Sequence, residues 1–270
     1  MLGRLLDEMG LFAGTRKDEN NEALFFQEIN IWLLGQCGAR WDMPAASTYL
    51  WKHEKALPWI ESYIESLMYS PRSIKFLGLQ RYLAGGMKSL NSPWGWKDPR
   101  NTFTLPMWLR IFPQAKVISI ERHGVDVSQS LRVREVRELD RAASEFTKYR
   151  PLVFLRPKGG GVGESPRCAF LDGGFSLWKE YVAQARAMIE QLPADRSLAL
   201  RYEDVLDNPL KYLRESAEFC GLNVSDQRLQ EVVAGIKADR ANSYMSDAGL
   251  RQFAADHGTE LGEYGYKALL

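Results

Sequence analysis

Short apolar runs that feed directly into long amphipathic helices leave few architectures open, and this chain has two of them. Val117-Ile118-Ser119-Ile120 follows Pro113 and ends at Glu121-Arg122, after which a short turn with Gly124 opens a helix bearing Ser128 and Ser130. Leu198-Ala199-Leu200 ends in the same way at Arg201-Tyr202-Glu203-Asp204. Such runs alternating with helices imply a parallel sheet with helical crossovers. The predicted fold class is therefore α/β, a parallel sheet with helices on both faces, in a single domain over residues 1–270.

The helices are legible from spacing. Leu2, Leu5, Leu6 and Met9 recur at helical intervals before Gly10, and 22–35 and 57–69 repeat the pattern. In 175–192, Trp178, Tyr181, Val182, Ala185, Met188, Ile189 and Leu192 form one buried stripe. In 208–221, Asn208 caps, Pro209 suits the first helical position and Gly221 the exit. Periodicity is lost between residues 150 and 174. There the run KGGGVGESPRC predicts an exposed, mobile loop that covers an active site, and it does not meet the GxxxxGK[ST] spacing of a phosphate loop.

Composition removes several classes. With 35 Lys and Arg against 34 Asp and Glu, the net charge of +1 argues against a general nucleic-acid binder. No stretch reaches the roughly 20 apolar residues of a membrane span, and Arg4, Asp7 and Glu8 make the N-terminus a poor secretory signal. Cys37, Cys168 and Cys220 suit neither a disulfide framework nor a zinc cluster, and His53, His123 and His257 are scattered. The expectation is a cytoplasmic protein without a metal site.

Three corners carry chemistry. Arg122 at a strand end and a serine in the first turn of the next helix can converge on one anion, where helix amides add their attraction. A guanidinium matches phosphate or sulfate with two parallel hydrogen bonds. In Trp96-Lys97-Asp98-Pro99-Arg100, Lys97 and Arg100 flank a proline-stiffened turn ahead of a helix beginning near Thr102. Tyr202, at the second strand end, can stack on a base or close a pocket. Each has a plainer role open: Arg122 paired with a carboxylate, Ser130 a surface hydroxyl, Lys97 solvated, Tyr202 a core tyrosine, Asp98 a helix-opening residue.

The order KDPR, then FPxAKxIxxxR-HG-x-DVxxS, then LxLRYEDVxxxPLxxLxxxxEFxGL resembles the sulfotransferases over residues 94–222, with GEYGY near Tyr264–Tyr266 a looser likeness. The resemblance implies a P-loop-NTPase-like fold and transfer of a sulfuryl group from 3'-phosphoadenosine 5'-phosphosulfate (PAPS) to a hydroxyl of a carbohydrate, lipid or small metabolite. It implies that Arg122 and Ser130 hold the 3'-phosphate, that Tyr202 lies against adenine, and that Lys97 sits near the sulfuryl group and 5'-phosphate. Arg100 is a secondary anion contact, and Asp98 is the candidate base.

The sequence also departs from the family. The strand followed by an R-S-G-T loop, which holds the 5'-phosphosulfate, is absent, and Met1–Leu6 looks like the helix after it. Position 99 is proline where a histidine is usual. A missing central strand would leave unpaired edges. Three accounts stay open: a shortened active enzyme, a non-catalytic nucleotide- or protein-binding module, or a gap filled by another segment. A P-loop kinase relative is disfavoured, since no Walker lysine loop or magnesium-binding acid is evident. Acceptor identity and oligomeric state are not encoded in any motif found.

Overall fold

The computed structural model describes residues 1–152, 155, 163–236 and 241–267. The chain forms two compact units, one of Met1–Ile120 with Gln184–Ala238, the other of Glu121–Ala183 with Asp239–Leu270.

The first unit is mostly helical. It holds α1 (Leu2–Glu8), α2 (Leu24–Gly35), α3 (Ser47–Trp51), α4 (Leu57–Tyr69), α5 (Ile74–Leu83) and α6 (Asn101–Ile111). Strand β1 (Val117–Glu121) runs to the boundary between the units and pairs with β2 (Ser197–Arg201) in a small parallel sheet. The helix-rich unit with this small sheet is consistent with the α/β expectation. Two cores account for it. Phe26, Ile29, Leu33, Ile60, Ile64, Phe76 and Trp108 close the α2–α6 layer, with Trp96 stacked on Phe26 at 3.9 Å between centroids. Leu2, Leu5 and Leu6 of α1 pack with Leu200 and with residues of α9 (Tyr202–Asp207), α10 (Pro209–Phe219) and α11 (Asp226–Ala234). As the spacing predicted, Asn208 caps α10 by accepting from Lys211 N at 3.3 Å.

The second unit is built on α7 (Gly124–Tyr149) and the greater part of α8 (Leu171–Glu190), with α12 (Ala248–Asp256) and α13 (Gly258–Glu263). Val125, Phe175, Trp178, Tyr244, Leu250, Leu261 and Tyr266 form its core. Gly124 is the first residue of α7, and a Cβ there would lie 2.7 Å from Trp178 and 2.8 Å from Phe175. It permits close packing where the sequence suggested a turn.

The expected exposed loop over 150–174 is only partly matched. Residues 153–154 and 156–162 lie outside the described residues. Downstream, Ser165 and Cys168 are buried, Pro166–Ala169 form a 3-10 turn packed on α7, and α8 begins at Leu171. The glycines hid this order, because the contacts that fix it come from α7 and not from local periodicity. Among the described residues no helix is long and apolar enough to cross a membrane.

Candidate active site

Asp98 starts α6. Its Oδ1 accepts from the Arg100 backbone N at 2.8 Å and from Arg100 Nη1 at 3.0 Å, so the carboxylate closes the turn around Pro99. Its Oδ2 accepts from Asn30 Nδ2 at 2.9 Å. The side chain is 1% exposed. Burial pushes the carboxyl above its ordinary range, with the Arg100 charge and the Asn30 hydrogen bond opposing the shift. Of the two roles open for Asp98, the geometry favours the helix-opening anchor.

Asn30 fixes that anchor from α2. Its amide also donates to Asn101 Oδ1 at 2.8 Å, and its carbonyl accepts from Thr104 Oγ1 at 2.7 Å and Trp108 Nε1 at 2.8 Å. Both amide hydrogens and both carbonyl lone pairs are thus in use, which completes the capacity of the group.

Lys97 and Arg100 meet at Glu22. The Lys97 Nζ donates to Glu22 Oε1 at 2.7 Å, and Arg100 Nη1 donates to Oε2 at 3.2 Å. Gln27 Nε2 adds a third bond to Oε2 at 3.0 Å. Glu22 is itself set by Asp18, whose Oδ1 accepts from the Glu22 backbone N at 2.8 Å. The glutamate side chain is 8% exposed while that of Lys97 is 42% exposed, so the ammonium faces solvent with a buried carboxylate behind it. Sequence reasoning missed Glu22 because the two partners are 75 residues apart. The one available signal was a carboxylate standing directly before the apolar run of α2.

Arg122 and Ser130 belong to the second unit. Arg122 Nη2 donates to Asp126 Oδ2 at 2.9 Å and to Ser243 Oγ at 3.4 Å. Asp126 is buried and also accepts from Ser243 Oγ at 2.9 Å and the Tyr244 backbone N at 2.8 Å. The Trp178 indole donates to the Arg122 carbonyl at 3.0 Å. The arginine is therefore held, by the carboxylate pairing that was one of its two expected roles. Ser130 is exposed, and because α7 opens at Gly124 it falls in the second helical turn and not the first. Ser128 is buried and bonds the Gly124 carbonyl at 2.7 Å, a structural role. His123 stacks on Tyr244 at 4.4 Å between centroids and accepts from Val125 N through Nδ1 at 3.3 Å. Burial holds its pKa below the ordinary histidine range; the Lys267 backbone hydrogen bond and the Asp126 charge oppose that, and Arg122 reinforces it.

Tyr202, in the first unit, is the half-buried first residue of α9, directly after β2. The structure thus brings Lys97, Asp98 and Arg100 together around Glu22 and places Arg122 at the start of α7. Among the described residues no group of three or more His, Cys, Asp or Glu is placed to hold a metal ion.

No curated protein and no solved structure matches the chain. A family model described as the sulfotransferase family matches residues 43–226, more than half of the sequence, and that span contains the Lys97 corner, the Arg122 corner and Tyr202. The chain belongs to the sulfotransferase family.

Proposed function

We propose that this chain moves a sulfuryl group from PAPS to a hydroxyl of a carbohydrate, lipid or other small metabolite. The observation that carries the reading is the Lys97–Glu22 pair: a half-exposed ammonium bonded at 2.7 Å to a buried carboxylate, in the turn that opens α6. The donor set fits a polyanionic nucleotide, since guanidinium, ammonium and hydroxyl groups are the chemistry that phosphates require. Arg122 and Ser130 would hold the 3'-phosphate, Tyr202 the adenine, and Lys97 with Arg100 the 5' side. Bound PAPS supplies the sulfuryl group and a phosphate leaving group.

Lys97 keeps a fixed positive charge where negative charge grows during transfer, which favours the transition state over the ground state. Glu22 Oε1 takes the proton of the acceptor hydroxyl beside that ammonium. Asp98 is less suited to that task, because its oxygens are held by Arg100 and the buried Asn30, whereas Glu22 Oε1 accepts from the half-exposed Lys97 ammonium. Its part is to hold the turn that aims Lys97 and Arg100. Asp126 likewise orients the Arg122 guanidinium.

The test is transfer from labelled PAPS across an acceptor panel, with calorimetric binding of 3'-phosphoadenosine 5'-phosphate. Glu22→Gln is expected to lower kcat by roughly 10²- to 10⁴-fold, the usual worth of a general base, and to leave nucleotide affinity unchanged. Asp98→Asn is expected to retain turnover, and Arg122→Ala to lose nucleotide binding. Nucleotide binding by the wild type without transfer to any acceptor would instead favour a non-catalytic binding module. No binding by the folded chain would overturn both readings.

A further inference from the structure

One stretch of the first unit is charged unlike the rest of the chain. Residues 66–97 contain five Lys or Arg and no Asp or Glu, in a protein of net charge +1. Two of the five are balanced by acids from elsewhere in the unit, Lys75 by Glu28 at 2.5 Å and Lys97 by Glu22 at 2.7 Å. Arg72, Arg81 and Lys88 are exposed, and among the described residues no salt bridge engages them. Arg81 lies over the Phe12 ring at 4.3 Å and Lys88 over the Tyr69 ring at 5.1 Å.

The same stretch leaves large apolar side chains in solvent: Tyr69 is 54% exposed, Leu79 59% and Leu83 74%. Tyr69 and Leu83 border one open cleft of about 310 Å³, together with Met68, Ser73 and Tyr82. Leu79 and Leu83 stand one turn apart, beyond the break at Gly78, where φ is 76°. Gly85 and Gly86, with φ of 124° and 66°, then reverse the chain toward Lys88. The result is a small apolar tip flanked by cations that no buried carboxylate claims.

We propose that the surface over residues 69–88 docks on anionic lipid bilayers. Tyr69, Leu79 and Leu83 enter the boundary between headgroups and acyl chains, and Arg72, Arg81 and Lys88 lie against lipid phosphates. Apolar side chains ringed by Lys and Arg are the chemistry of peripheral attachment. A stable protein partner would ask for a patch of roughly 800 Å² with a polar rim, whereas this one is a tip of three apolar side chains beside three exposed cations that no salt bridge engages among the described residues. The proposal is independent of the sulfuryl-transfer reading.

Sedimentation of the full chain with phosphatidylcholine vesicles, with and without phosphatidylglycerol, tests it. Binding is expected only with the anionic lipid and to weaken as salt rises. Each basic residue near such a surface adds about five-fold to partitioning, so Arg72→Glu with Lys88→Glu is expected to lower it by about 25-fold or more. Leu79→Ser with Leu83→Ser is expected to lower it by at least about ten-fold. All four side chains are exposed, so circular dichroism and thermal midpoints should be unchanged. Absence of binding, indifference to phosphatidylglycerol, or binding that neither pair of substitutions alters would overturn the proposal. So would concentration-dependent self-association that the leucine pair abolishes without any vesicle binding, which would assign the surface to a second copy.

Discussion

Asn30 is the residue whose loss the structure makes easiest to price in physical terms. It is fully buried and makes four hydrogen bonds, to Asp98, Asn101, Thr104 and Trp108. In Asn30→Ala, Thr104 keeps the Arg100 carbonyl at 3.1 Å and Asn101 keeps the Trp96 indole at 3.0 Å. Trp108 Nε1 and Asp98 Oδ2 lose the bond that Asn30 gave them. At about 1–3 kcal/mol for each buried group left unsatisfied, and more for a charged one, the loss is roughly 3–5 kcal/mol. At about 2–4 °C per kcal/mol for a chain of this size, the thermal midpoint falls by roughly 6–20 °C. Asn30→Asp is the sharper variant, because it keeps the shape but sets a second carboxylate against Asp98, where the amide donor now lies at 2.9 Å. Two carboxylates that close raise each other's folded pKa. A raised folded pKa gives stability that is present below the unfolded carboxylate range and is lost as pH rises through the folded value. Asn30→Asp should therefore be strongly destabilised near neutral pH and approach the wild type on acidification toward about pH 5. Urea unfolding followed by tryptophan emission reads both effects, since Trp96 and Trp108 belong to the network. A cost below about 1 kcal/mol for Asn30→Ala, or a gap for Asn30→Asp that does not narrow in acid, refutes the reasoning.

Two further predictions concern the second unit. His123 has a folded pKa lowered by burial, so its contribution is fully present above the ordinary histidine value of 6.5 and is lost as pH falls through the folded value. Unfolding midpoints should drop on mild acidification with a slope of at most about 1.4 kcal/mol per pH unit from this one proton, and His123→Phe, which keeps a ring against Tyr244, should flatten that slope; an unchanged slope would remove His123 as its source. Gly124→Ala drives a methyl to 2.7 Å from Trp178 and should cost about 1–3 kcal/mol by overpacking, while a wild-type urea midpoint would mean that the helix start shifts freely.

What the sequence made legible was local. The stripes of α1, α2, α4, α8 and α10 and the two β-branched or apolar runs of β1 and β2 lie within at most four residues of where spacing placed them. Periodicity reports which face of an element is buried, so it succeeds wherever burial decides. It has nothing to say of the order over 165–174, where Cys168 is fixed by packing on α7. It also assigned Gly124 to a turn, because a glycine needed for clearance from Trp178 and Phe175 looks the same in sequence as one needed for backbone freedom. At the site, the motif order led to Lys97, Arg100 and Arg122 but named Asp98 as the base, the carboxylate nearest in sequence. The carboxylate bonded to the Lys97 ammonium is Glu22, which only the fold brings there.

That arrangement decides which substitution can isolate the proton step. Every site cation placed here is held by a carboxylate: Lys97 by Glu22, Arg100 by Glu22 and Asp98, Arg122 by Asp126. Under the proposed function these pairs fix the donors before an anion arrives, and preorganised charge is what stabilises charge that develops during reaction. The same pairing means that Glu22→Ala removes two things together, the proposed proton acceptor and the brace of Lys97 and Arg100. Glu22→Gln keeps an oxygen acceptor for the Lys97 ammonium and abolishes basicity; the amide nitrogen replaces the acceptor of Arg100 and Gln27, and Arg100 keeps its bond to Asp98. If Glu22 serves solely as a brace, Glu22→Gln retains most of the turnover that Glu22→Ala loses; if it takes the acceptor proton, the two variants fall together while nucleotide affinity separates them.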